Sequence, residues 1–247
     1  MAKVSVIVPG AGAGRRYGGK RRKILERLGG GGQPVFIRTL EAFVNREDVC
    51  QVQLVIAPDD LEEVRSRYGG NLGFMSVRIV PGGPTRSQSV RNALASVRDD
   101  AELICVHDAV RPCVAQPWID AVFAEAEKTG AAILAVPIHG TLKRTTDRRV
   151  IDGTLPRQAG QELWEAQTPQ VFRRDILLAA YAAGSEATDD AALVEAAGHA
   201  VHVVPGDVRN VKITTPADLA FAAAVMPTLP KPKQRQPLHP FAEDQQW

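Results

Sequence analysis

"VIVPGAGAGRRYGGKRRK", Val6 to Lys23, decides how the rest of the chain is read. A short β-branched run ends at Pro9, and a glycine-rich loop carrying six basic residues follows at once. Small residues let backbone N–H groups approach a phosphate chain, and fixed cations neutralise its charge. Two familiar phosphate loops fit incompletely. Gly10, Gly12 and Gly14 begin like a dinucleotide fingerprint, but Arg15 occupies the third glycine position, which disfavours a nicotinamide-dinucleotide site. Gly14 to Lys20 keeps the P-loop spacing, yet Arg21 stands where a magnesium-binding hydroxyl belongs. What remains is a loop in which Gly10, Ala11, Gly12 and Gly14 bring the backbone close while Arg15, Arg16 and Lys23 supply charge. The plainer alternative is a solvated basic turn.

Outward from this loop, short apolar runs recur at Val52 to Ala57, Val77 to Val80, Leu103 to His107, Ala132 to Val136, Val201 to Val204 and Val211 to Thr214. Helical stretches alternate with them, at Pro34 to Val44, Ser87 to Val97, Trp118 to Thr129 and Arg174 to Ala183. Such alternation predicts an α/β fold: a doubly wound, mostly parallel, Rossmann-like sheet covered on both faces. Ligands bind such sheets beyond the carboxyl ends of the strands, so the loops that follow strands are where chemistry belongs. Residues 138–167 turn and alternate without a helical period and read as a β-arm projecting from the sheet. From Pro227 onward the chain is rich in Pro, Gln and charge, and reads as a disordered tail after a single domain spanning 1–226.

The 247 residues suffice for one large domain, and a formal charge of +2 is too small for general nucleic-acid binding. Three cysteines without paired spacing, Cys50, Cys105 and Cys113, predict reduced thiols. With no leader and no long apolar run, the expectation is a soluble, cytoplasmic protein that meets no membrane.

A second anchor is "HDAVRP", His107 to Pro112. It places the Asp108 carboxylate at the end of a strand, with Arg111 three residues on. A carboxylate there can hold Mg²⁺ against a triphosphate, and a neighbouring cation can hold a second phosphate. A simple loop salt bridge is the bland alternative.

Taken in order, "PGAGAGRR…K", "GG…RSQSV", "HDAVRP", "TLKR", "AQTPQVF", "TDDA" and "NVKITTP" resemble the 2-C-methyl-D-erythritol 4-phosphate cytidylyltransferases of non-mevalonate isoprenoid biosynthesis, from about Val4 to Ala224. The resemblance implies transfer of a cytidylyl group from CTP to a polyol phosphate, with release of pyrophosphate, Mg²⁺ as cofactor and a homodimer. It implies that Arg16 and Lys23 meet the triphosphate and that Lys212 stands near the α-phosphate. Gly10, Ala11, Gly12, Gly14, Gly83 and Ser89 would contact the nucleotide, and Asp108 the metal or ribose. Arg111, Thr141 and Arg157 would bind the acceptor, the last two reaching across from a partner's arm.

The sequence departs from the family at Arg22, where proline is usual and the loop would be less rigid, at Pro84, where an acidic residue is common, and at Arg209, where aspartate is frequent. Ribitol 5-phosphate cytidylyltransferases share the nucleotide half, and "TLKR" favours the methylerythritol enzymes over them. A catalytically dead nucleotide-binding regulator would not need cations on both sides of the α-phosphate. Thr188-Asp189-Asp190 reads at least as well as a helix cap as a site, and Thr215 to Asp218 as a helix start.

Overall fold

The computed structural model describes residues 1–12, 22–29, 31–146, 149–155, 162–184 and 187–231. The opening strand, β1 (Val4–Pro9), lies inside a seven-stranded sheet with β2 (Val49–Ile56), β3 (Val77–Pro81), β4 (Leu103–Val106), β5 (Ala131–Pro137), β8 (Trp164–Arg173) and β9 (His202–Pro205). Their spatial order is β3-β2-β1-β4-β8-β5-β9. Every pairing is parallel except those of β8, which runs antiparallel to β4 and β5. The two-stranded arm consists of β6 (Lys143–Thr145) and β7 (Ile151–Thr154).

Strand β1 shows why both faces are covered. Val4, Val6 and Val8 pack into one apolar cluster and Ile7 into another, as the period-two alternation of a strand requires. On the first side the sheet meets α1 (Val35–Glu41), α2 (Leu61–Phe74), α4 (Gln116–Thr129) and α7 (Pro216–Val225) through residues such as Phe36, Leu72, Ile119 and Ala222. On the other it meets α3 (Arg86–Leu94), α5 (Arg174–Ala182) and α6 (Asp190–Ala196) through Val90, Leu177 and Val194.

Local signals set the helix ends. The Thr85 hydroxyl caps α3 and the Asp189 carboxylate caps α6. Thr215 and Asp218 form a capping box with Pro216 at the first turn of α7, as the sequence predicts. Helix α4 ends at Gly130, whose φ of 91° lies in the left-handed region that glycine tolerates.

Three expectations are corrected. Val211 to Thr214 does not pair as a strand; its groups serve the loop between β9 and α7, with Ile213 N donating to Val110 O and Thr214 N to the Asp218 carboxylate. The arm ends before Trp164, because Trp164, Glu165 and Ala166 pair with β5. The ordered chain also runs past residue 226: Pro227 and Thr228 belong to a one-turn helix, Thr228 O accepts from Arg209, and Leu229 rests on the core. The tail reading beyond 231 lies outside the described residues.

Candidate active site

The loops after β1, β2, β3 and β4 wall a cavity of about 320 Å³ at the carboxyl ends of those strands. Gly10, Ala11, Gly12, Lys23, Gly83, Ser89, Asp108 and Lys212 all line it. The fold therefore brings residues from five segments to one place. Gly14, Arg16 and Arg157 lie outside the described residues. Thr141 is exposed on the arm and lines neither this cavity nor the next.

The small residues have separable reasons. A Cβ at Gly10 would come within 3.1 Å of Val55 O, to which Gly10 N donates, so the turn out of β1 is pinned against β2. A Cβ at Gly82 would collide with the Ala11 side chain, so the first and third loops touch only because that position is bare. At Gly12, which lines the cavity, an added Cβ would meet nothing within 4 Å among the described residues. Ser89 is buried and already engaged: its hydroxyl donates to Thr85 O at 2.9 Å and accepts from Gly83 N at 3.1 Å, bracing the Gly82-Gly83 turn.

At the floor, three cations converge on the buried Asp108 carboxylate. Lys212 Nζ lies 2.8 Å from Oδ2, Arg111 Nε 3.4 Å from Oδ2 and Arg86 Nε 3.7 Å from Oδ1. Burial alone would raise the Asp108 pKa, but Lys212, Arg86 and Arg111 hold it well below the usual carboxylate range. The backbone explains why Lys212 arrives there. Arg111 donates to Asn210 O at 2.7 Å and Ile213 N donates to Val110 O at 2.9 Å, so the segment carrying Lys212 is tied to the "HDAVRP" loop on both sides.

Arg86, which the sequence reading did not single out, proves central. Its Nη2 donates to the fully buried Asp190 carboxylate at 2.7 Å, and Asp190 accepts from Tyr181 Oη at 2.5 Å. Burial works to lower the Arg86 pKa, yet Asp190 and Asp108 raise it above the ordinary guanidinium value. The "TDD" stretch is thus divided in role: Asp189 caps a helix, and Asp190 fixes a cavity cation. The only sequence signal was Arg86 at the first turn of the "RSQSV" helix.

His107 faces away from chemistry. Its Nε2 lies 3.1 Å from Arg111 O, which can only accept, so Nε2 carries the proton and Nδ1 accepts from the Thr168 hydroxyl at 3.2 Å. Thr168 in turn accepts from Asp108 N at 3.1 Å. Burial lowers the His107 pKa to about 4, leaving a neutral ring that shapes the loop presenting Asp108.

A second cavity, of about 350 Å³, opens beside β5 and β8 and is lined by Arg111, Val136, Glu165, Gln167, Asn210 and Lys212, among others. Lys212 lines both cavities. Among the described residues no group of three His, Cys, Asp or Glu side chains could hold a metal ion. The donor set instead suits a hard cation held largely by substrate phosphates, with one protein carboxylate. Asp108 Oδ1 fits that part, since Arg86 stands beyond hydrogen-bond distance from it.

A family model described as IspD, 2-C-methyl-D-erythritol 4-phosphate cytidylyltransferase, matches residues 4–228. Among relatives that carry this name, one from Rhodopirellula baltica is 40% identical over 240 residues, covering 91% of this chain and 95% of the relative. One from Carboxydothermus hydrogenoformans is 40% identical over 227 residues, covering 90% and 94%. The crystal structure of the Francisella tularensis protein of that name superposes with a TM-score of 0.74 at 29% identity over 90% of this chain and 98% of that one. That of the Thermus thermophilus protein does so at 0.73 and 31%, over 91% and 99%. With the family model spanning nearly the whole described fold, from the first strand to the turn after α7, this chain belongs to the 2-C-methyl-D-erythritol 4-phosphate cytidylyltransferase family.

Proposed function

We propose that the protein transfers the cytidylyl group of CTP to 2-C-methyl-D-erythritol 4-phosphate, giving CDP-methylerythritol and pyrophosphate. The observation that carries this reading is Lys212, shared by a cavity walled with phosphate-loop residues and a second one that contains Arg111. CTP occupies the first cavity, with its triphosphate between the Gly10 to Gly12 backbone and Lys23. The acceptor occupies the second, its phosphate beside Arg111.

An acceptor phosphate oxygen attacks the α-phosphorus in line, the bond to the bridging oxygen breaks, and pyrophosphate leaves. Lys212 neutralises charge on the equatorial oxygens and Lys23, with Arg16, the charge on the leaving group. The acceptor phosphate is already ionised near pH 7, so no general base is needed. Mg²⁺, bound by the triphosphate and Asp108, would supply further charge neutralisation.

The protein acts as a homodimer in which the arm of one chain completes the acceptor site of the other through Thr141 and Arg157. Supporting this are the exposed apolar side chains that the arm carries, Val150, Ile151 and Leu155, together with a Thr141 that meets neither cavity of its own chain. Mixing Lys23→Ala and Thr141→Ala chains tests it: heterodimers should regain about one good site in two, and no recovery despite subunit exchange would refute the shared site. Among the described residues no helix is long and apolar enough to cross a membrane. The buried free thiols Cys105 and Cys113 suit the reducing cytoplasm.

The acceptor is tested by pyrophosphate release from CTP with methylerythritol 4-phosphate and ribitol 5-phosphate in parallel. A site that hydrogen-bonds particular hydroxyls discriminates strongly, so the first should win by at least roughly 10²-fold in kcat/KM. Faster turnover with ribitol 5-phosphate would overturn the acceptor, and no release with either would favour a nucleotide-binding regulator.

A further inference from the structure

Lys23 sits between two anchors. Downstream, Ile24 and Leu25 are buried in the core, and Ile24 lies close to Gly10 at the cavity wall. Upstream, Arg22 Nε lies 3.1 Å from the carboxylate of Asp60, which follows β2. Asp60 stands before the first residue of α2, where an acidic side chain ordinarily caps the helix. Here it makes no capping bond, and its φ and ψ of −100° and −7° are helical rather than extended. The carboxylate, 12% exposed, is turned to Arg22 instead. Asp59 is 4.0 Å from Arg22 and 88% exposed, so it contributes little.

Arg22 is the third of four consecutive basic residues, Lys20 to Lys23, whose like charges repel one another. Its φ of −66° and ψ of 126° let its carbonyl accept from Leu25 N and begin the one-turn helix Lys23–Leu25. We propose that Asp60 is a positioning residue for nucleotide binding: through Arg22 it fixes the point where the basic loop rejoins the fold, and so aims Lys23 into the cavity. The proposal rests on the reading that Lys23 meets the triphosphate.

The test compares CTP affinity by calorimetry, and KM for CTP, in Asp60→Ala, Asp60→Asn, Arg22→Pro and the double variant Arg22→Pro/Asp60→Ala. Asp60→Ala and Asp60→Asn should each weaken CTP binding about tenfold, the equivalent of 1.4 kcal/mol, with Tm almost unchanged. Proline holds φ near roughly −65° covalently, so in the Arg22→Pro background Asp60→Ala should cost less than about twofold. An Asp60→Ala loss of the same size in both backgrounds would overturn the proposal. So would tighter CTP binding by Asp60→Ala alongside weaker binding by Arg22→Pro, because Arg22 would then grip the nucleotide itself. Undiminished CTP affinity in Lys23→Ala is a distinct result: it would remove the role of Lys23, and this inference with it.

Discussion

Lys212 and Asp108 meet at 2.8 Å on the wall between two cavities, joined by a carboxylate that burial opposes and three cations keep ionised. The pair is side by side because Arg111 and Val110 hold the Lys212 loop on both flanks. Lys212→Ala is expected to lower kcat by roughly 10² to 10³-fold, the loss usual for one group that stabilises transition-state charge, and Lys23→Ala to do the same. Steady-state kinetics at saturating CTP provide the check; near-normal turnover would remove the role from whichever lysine was changed.

Arg86 should behave differently, because its loss strands a charge. Arg86→Ala leaves the fully buried Asp190 carboxylate without its cation, although the Tyr181 hydroxyl still donates to it. Breaking a buried pair from one side costs about 3 to 5 kcal/mol. Urea unfolding should therefore show a large stability loss in Arg86→Ala and a small one in Lys212→Ala, whose lysine is 38% exposed. Equal losses would mean that Asp190 does not depend on Arg86.

His107 makes stability pH-dependent. Its pKa is about 4 in the folded chain and near 6.5 when unfolded, so the unfolded state takes up the proton first as pH falls. Its contribution is complete above pH 6.5 and is lost as pH drops towards 4, by about 3 kcal/mol in total. Unfolding free energies measured across that window should decline, and His107→Gln should flatten the decline. An unchanged slope in the variant would assign the effect to other groups.

Thiol chemistry offers an independent view of the core. Cys105 and Cys113 are buried, and burial pushes the Cys113 thiol up to about 11 and raises Cys105 as well. A thiol-disulfide reagent at neutral pH should titrate at most Cys50 in the native protein and all three cysteines in urea. Rapid reaction of more than one native thiol would contradict this packing.

What the sequence disclosed depended on whether the deciding interaction was local. Strand β1 with the turn at Gly10, and β4 with Asp108 after it, were legible because an apolar run followed at once by glycine or charge has few other meanings. Helix α2 was not identified, since Gly69, Gly70 and Gly73 dilute its helical signal and it forms through packing of Val64 and Leu72. Strand β8 was hidden by the polar residues and proline of "QTPQ", whose side chains are satisfied by distant partners such as Asn210 and Asp189. Arg86 was overlooked because its significance comes from a carboxylate 104 residues away. Arg111 was read as an acceptor contact and does border the second cavity, but its burial and its bond to Asn210 show a tether that no spacing could disclose.

The reversed direction of β8 has a consequence for how such a chain can change over generations. Strands β5 and β8 form one long antiparallel hairpin, closed at Pro137 and Trp164 and by Ile138 N donating to Leu163 O at 2.8 Å. The arm is the loop of that hairpin, and it leaves from the edge where Val136 and Glu165 border the second cavity. Lengthening a loop whose ends are already paired is cheap, about 0.6 kcal/mol for each doubling. A change of length in the arm can therefore be absorbed without breaking the β5–β8 pairing or moving the loops after β1, β3 and β4, so the border of the second cavity can be remodelled independently of the first.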